Sequence, residues 1–240
     1  MAANDHLNKS IVYAGSDIFS IPALQRLLDL KYKKITVLTK PPKRQGRGMK
    51  IKNNPLAQFS SEQNIETLVP EDPNDSSLLE SLKEIEPEAL ITSAYGKIVS
   101  KALLDIFSLG NVNIHPSLLP RWRGPSPIES AILEGDKETG VTLMRMTEEL
   151  DAGPIYAQQS IPLGEENTER LTQKLSLLAA NMLESFLPSF LEGAEGAKEQ
   201  NERCVTHSKI IKKEHARVDW NEYPKTIDKK IKAYYPWPVA

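Results

Sequence analysis

Short apolar, β-branched runs alternate with amphipathic stretches along the first half of the chain. IVYAG at 11–15 and KITVLT at 34–39 read as strands, and IPALQRLLDL at 21–30 between them carries apolar residues at helical spacing. The alternation continues through TLVP at 67–70, a helix from 78 in LLESLKEIEP, the buried-looking strand ALITSAY at 89–95, and NVNIH at 111–115. Strands of this kind, separated by helices, predict an α/β fold with a doubly wound, mostly parallel sheet.

The pattern changes after a helix predicted near 126–134. TGVTLMRM at 139–146 and PIYAQQSIP at 154–162 read as two further strands around the turn at Asp151, Ala152 and Gly153, and they extend the sheet. LTQKLSLLAANMLESFL predicts a long helix over 168–187, ended by Pro188 and the Gly193/Gly196 region. From about 197 the chain turns polar and charged. Residues 1–190 are therefore expected to be one domain and 191–240 a linker with short elements.

Composition narrows the classes. With 240 residues and 40% hydrophobic content the chain can bury a substantial core, and a net charge of −2 argues against a uniformly basic nucleic-acid binder. The single cysteine, Cys204, excludes an internal disulfide, and the four histidines show no zinc-finger spacing with it, so no metal is expected. The N-terminus lacks the apolar region of a secretory signal, and no segment approaches the ~20 apolar residues of a membrane span. A soluble protein of the cytoplasm, or of an organelle matrix, is expected, and a monomer.

Candidate chemistry gathers at the end of the strand 111–115. Asn113 and His115 alternate by two and share one face, at the carboxyl end of a parallel strand, where ligands of open α/β sheets sit. Burying either side chain without partners costs ~1 to 3 kcal/mol, so the pair either ties down the following loop or serves a site. Asp151 joins them only if its turn converges on the same place, which spacing alone does not decide. No G-x-G-x-x-G follows the first strand, where Gly15 stands alone, so dinucleotide chemistry is disfavoured.

The run Asn113-Ile-His115-Pro-Ser117-Leu118-Leu119-Pro120-Arg121-Trp122-Arg123-Gly124 resembles the signature of the formyltransferases that use 10-formyltetrahydrofolate, most closely the branch acting on methionyl-tRNA. Gly135-Asp136, Thr139 to Thr142, and Leu150-Asp151-Ala152-Gly153 resemble the family's second block, and Ala216 to Trp220 and Pro236-Trp237-Pro238 resemble segments near the edge of its catalytic domain. The resemblance implies a Rossmann-like formyltransferase fold with Asn113, His115 and Asp151 as the catalytic constellation. By the same resemblance, Ser117, Leu118, Leu119 and Pro120 shape the pocket of the reduced folate, and Ala94, Tyr95 and Gly96 lie beside its pterin.

Family members formylate methionyl-tRNA, amino-sugar nucleotides or glycinamide ribonucleotide, and a relative that kept the pocket without turnover would be a folate- or RNA-binding protein. Residues 40–52 hold six basic residues and no acidic one, a local concentration on a chain of net −2. Basic charge on a Gly/Pro-rich loop suits phosphates, although a solvated loop has the same composition. Gln45-Gly46-Arg47-Gly48 resembles the loop by which the methionyl-tRNA branch engages the acceptor stem, which makes Arg47 the first tRNA-contact candidate, followed by Arg44 and Lys43. The resemblance thus points to initiator methionyl-tRNA as partner. Relatives continue into a C-terminal β-barrel of the oligonucleotide-binding type, which is expected to be absent here.

Overall fold

The computed structural model describes residues 5–45, 49–194 and 196–240. Strands β1 (Ser10–Gly15) and β2 (Lys34–Leu38) flank helix α1 (Ile21–Asp29). A hairpin of β3 (Lys43–Gln45) and β4 (Lys50–Lys52) precedes α2 (Pro55–Glu62), and β5 (Thr67–Leu68), α3 (Ser76–Ile85) and β6 (Ala89–Ser93) follow. The rest comprises α4 (Lys101–Leu104), β7 (Gly110–His115), α5 (Pro127–Glu134), β8 (Glu138–Met144), β9 (Ile155–Pro162), α6 (Thr168–Leu191) and α7 (Pro224–Ala233).

Seven strands form one sheet in the order β5-β2-β1-β6-β7-β8-β9. The first five are parallel, β8 pairs antiparallel with β7, and β9 pairs antiparallel with β8. Strand order reverses between β1 and β6, which places the topological switch point, and the crevice that accompanies it, at their carboxyl ends. Both sheet faces are covered, so successive residues of β1 enter different cores. Ile11 and Tyr13 pack with α1 and α6, and Val12 and Ala14 with Leu78, Leu82, Leu103 and Leu104 of α3 and α4.

α6 is the largest buttress. Leu171, Leu175, Ala179, Leu183 and Leu187 form a buried stripe at helical spacing, and Tyr156 of β9 closes an aromatic cluster with Phe186 and Phe190 at centroid distances of 5.3 and 5.6 Å. Pro188 does not end this helix, contrary to the sequence expectation. It sits within the last turn, where burial of Phe190 and Leu191 outweighs the one backbone hydrogen bond that proline cannot donate. The basic segment also differs from the expected loop, because residues 43–45 and 50–52 pair as antiparallel strands.

Candidate active site

Strand register sets Asn113 and His115 opposite Met144 and Thr142 of β8, so β8 leaves past the start of β7, where the Met146 N–H donates to Asn111 Oδ1, and the turn that follows folds back toward His115 and Gly124. Asp151 sits in that turn with a φ of 53°, a conformation uncommon for a residue with a side chain. Its Oδ2 accepts a hydrogen bond from the Gly124 N–H at 2.8 Å and lies 3.6 Å from His115 Nδ1. The His115 ring is buried, and its Nε2 is 3.0 Å from the Trp122 carbonyl oxygen. A carbonyl only accepts, so Nε2 carries a proton and Nδ1 is the nitrogen left facing the carboxylate. Asn113 is half-buried, and its amide has no hydrogen-bond partner among the described residues.

The segment after β7 is held from several sides. Ser117 Oγ donates to the Arg121 carbonyl at 2.6 Å, and Thr142 Oγ1 donates to the Ser117 carbonyl and accepts from the Leu119 N–H. Gln158 Nε2 donates to the Leu119 carbonyl at 2.7 Å. Ser117 and Leu119 are thereby buried, and Leu118 and Pro120 are half-buried. Leu118 borders a cleft of about 290 Å³ shared with Arg121, Trp122 and Asp136. There Arg121 makes a two-pronged ion pair with Asp136 and stacks 4.2 Å over the Trp122 ring.

Ala94 and Gly96 both adopt positive φ, and the Ala94 carbonyl accepts from Ser16 Oγ at 2.9 Å. Their loop is therefore shaped at the switch point. The Tyr95 side chain turns away into the core, where burial, followed by the charge of Asp72, pushes its hydroxyl up to about 12, so only its backbone can meet a ligand. Ile98, two residues past Gly96, is 84% exposed.

Lys43 and Arg44 lie exposed on the hairpin, and Arg47 lies outside the described residues. Pairing of Lys43 with Lys52 and of Gln45 with Lys50 puts Lys43, Lys50 and Lys52 on one face, with Arg44 and the exposed Ile51 on the other. At the hairpin's base, burial and then the charges of Lys43 and Lys97 lower the pKa of Lys40, whose ammonium packs against Gly96. By contrast, the turn after β1 is acidic. Asp17 caps the helical segment that follows, accepting from the Phe19 N–H at 3.1 Å, and its charge adds to the burial that raises the pKa of Glu129.

The sequence reading missed the contribution of residues 198–208. Lys198 exchanges two backbone hydrogen bonds with Ile155, the Thr206 carbonyl and Ser208 N–H pair with Arg123, and Thr206 Oγ1 and Ser208 Oγ accept from Trp122 and Ser126. Arg123 is 2% exposed and bonds Gln200 and Glu202. A charged residue next to Gly124 gave no hint of burial, and Gln200 lies in a polar stretch without periodicity. Among the described residues, no cluster of three or more His, Cys, Asp or Glu side chains is placed to hold a metal, and no helix is long and apolar enough to cross a membrane.

Residues 11–187 match the family described as formyl transferase. The chain is 38% identical over 231 residues to the methionyl-tRNA formyltransferase of Methylococcus capsulatus, covering 96% of this chain and 75% of that protein. Against the methionyl-tRNA formyltransferase of Lysinibacillus sphaericus it is 38% identical over 232 residues, covering 96% and 74%. Among solved structures, the sugar 3N-formyl transferase WlaRD, crystallised with dTDP and 5-N-formyl-THF, superposes with a TM-score of 0.72 at 19% identity over 94% of this chain and 78% of that one. HypX from Aquifex aeolicus in complex with tetrahydrofolic acid gives 0.71 at 19% identity, over 95% of this chain and 35% of that one. At these identities the structural matches speak to fold alone.

Proposed function

This chain belongs to the formyl transferase family, and we propose that it moves the formyl group of 10-formyltetrahydrofolate to the amino group of methionine carried by initiator tRNA. The observation that carries the reading is the meeting of His115 and Asp151 beside an unengaged Asn113 at the carboxyl end of β7. The folate supplies the formyl carbon, to which the amine forms a new C–N bond as the bond to N10 breaks; the amine gives up one proton and N10 receives one.

Asn113 donates to the oxyanion that develops on the formyl oxygen, a well-placed donor of this kind contributing ~3 to 4 kcal/mol, and His115 adds positive charge beside it once Nδ1 has taken up the amine proton. His115 Nδ1 is the ring nitrogen free to exchange a proton, because Nε2 is committed to Trp122. Asp151, fixed by the Gly124 N–H, keeps a carboxylate against Nδ1 and takes part in removing the amine proton. The folate fits the residues present. Asn113 offers an unused amide, Ile98 offers exposed apolar surface, and contact falls to Leu118, Pro120 and the backbone of residues 94–96 because Ser117 and Leu119 are buried.

Two features support a tRNA acceptor over a small nucleotide. In open α/β sheets the turn after the first strand is a common phosphate seat, and here it carries the Asp17 carboxylate, which caps the short helical segment Ile18–Ser20 and repels a phosphate. The exposed Lys43, Lys50, Lys52 and Arg44 offer cations for a polyphosphate backbone instead. The test is formyl transfer from 10-formyltetrahydrofolate to methionyl-tRNA, glycinamide ribonucleotide and amino-sugar nucleotides in parallel. Product on the tRNA alone is expected. Product on a small nucleotide instead would overturn the acceptor, and folate binding with no transfer to any acceptor would leave a binding protein.

A further inference from the structure

We propose that Gln200 is a positioning residue for Asp151, holding the turn between β8 and β9 in the conformation that presents the carboxylate to His115. The inference rests on the role given to Asp151 above. Gln200 is buried, and its Nε2 donates to the carbonyls of both Asp151 and Gly153 at 2.8 Å. Both amide hydrogens are thus spent on carbonyls two residues apart in one turn. The amide's orientation is set by its other end, where Oε1 accepts from Arg123 Nε at 3.0 Å. Since a guanidinium only donates, the oxygen must face Arg123 and the NH2 must face the turn. Arg123 is anchored in turn by Glu202, with an Nη2 to Oε1 distance of 2.7 Å.

The geometry gives Gln200 a role distinct from general packing. Asp151 is held at its side chain by Gly124 and at its carbonyl by Gln200, so the residue with the uncommon φ is clamped at both ends. The surrounding segment has its own attachments through Lys198, Thr206 and Ser208, none of which passes through Gln200. Loss of the Gln200 amide therefore releases the turn while the segment stays in place.

Gln200→Glu retains an acceptor for Arg123 and removes both donors to the turn, and Gln200→Met removes them without adding charge. Each is expected to lower kcat by about 100-fold, the loss that follows from a displacement of about 1 Å in a reacting group. Affinity for 10-formyltetrahydrofolate, measured by fluorescence titration, should stay within about twofold of wild type. In an Asp151→Asn background the same substitutions should reduce the residual rate by less than about threefold, since they act through a group already removed. Unchanged kcat in both variants, full additivity with Asp151→Asn, or failure of both to fold would overturn the proposal. Full activity of Asp151→Asn by itself would instead sink the role of Asp151.

Discussion

Replacing Gly153 by alanine should slow turnover by about 100-fold although Gly153 lies outside the reacting groups. A Cβ at this position would fall inside the van der Waals shell of the Arg145 carbonyl oxygen, 3.0 Å from its carbon and 3.2 Å from Thr147 Cγ2. The oxygen and carbon are backbone atoms at the end of β8, so no rotamer change relieves the clash. The turn must move by about 1 Å, and the strain of such overpacking costs roughly 1 to 3 kcal/mol of stability. Movement cannot be absorbed downstream, because the Pro154 carbonyl is tied to the Arg145 N–H at 2.9 Å and Ile155 to Lys198 at 2.7 Å. It passes instead to Ala152 and Asp151, where a shift of about 1 Å in the carboxylate corresponds to ~2.7 kcal/mol in the barrier. Single-turnover formyl transfer, read beside a thermal melt, separates the two effects. A Tm lowered by several degrees with turnover within about threefold of wild type would refute the reasoning, since the turn would have taken up the strain without moving Asp151.

His115→Ala should reduce kcat by about 10² to 10⁴ while circular dichroism remains that of the folded protein, and near-normal turnover would exclude His115 from the chemistry. Arg44→Ala, alone or combined with alanine at Lys43, Lys50 and Lys52, should weaken tRNA binding and flatten its log–log salt dependence by about 0.7 to 0.9 for each phosphate no longer neutralised. Filter binding across a salt series measures this, and an unchanged slope rejects the phosphate role. The Lys174 hydrogen bond, which outweighs burial, holds the Glu166 carboxyl below its ordinary value of 4.5. The stabilisation is therefore complete above that value and lost as pH falls through the folded one, so Glu166→Gln should flatten the decline of stability on acidification, followed by Tm, with less than about 1 kcal/mol at stake for so exposed a lysine partner. An equal decline in both proteins would discount the pair.

The strands of the first half were legible because burial on both faces leaves a continuous apolar run, as Ile11 to Ala14 show by entering two separate cores. Asn113 and His115 were legible as a same-face pair for the equally local reason of strand alternation. What the sequence withheld depends on pairing across long separations. The meeting of His115 with Asp151 depends on the turn between β8 and β9 folding back onto the segment after β7, where the Gly124 N–H holds the carboxylate, and periodicity does not encode that. The hairpin at 43–52 was hidden because three-residue strands of Lys, Arg and Gln have no apolar face to alternate. Pro188 misled because the rule against proline in helices yields to apolar packing in a final turn. Gln200 was invisible for a simpler reason: its amide donates to backbone carbonyls, which every sequence supplies.

The carboxylate of Asp17 at the end of β1 gives the molecule a ruler. With a carboxylate in the turn after β1, a cationic hold on the acceptor falls to the hairpin that leaves the end of β2. β2 stands three strands from β7, a separation of about 14 Å at the usual spacing of strands. An acceptor that places its amine beside His115 and its phosphates on the hairpin must be long enough to bridge that distance. Selection can then operate through reach, with small phosphorylated amines rejected because they cannot touch both ends at once.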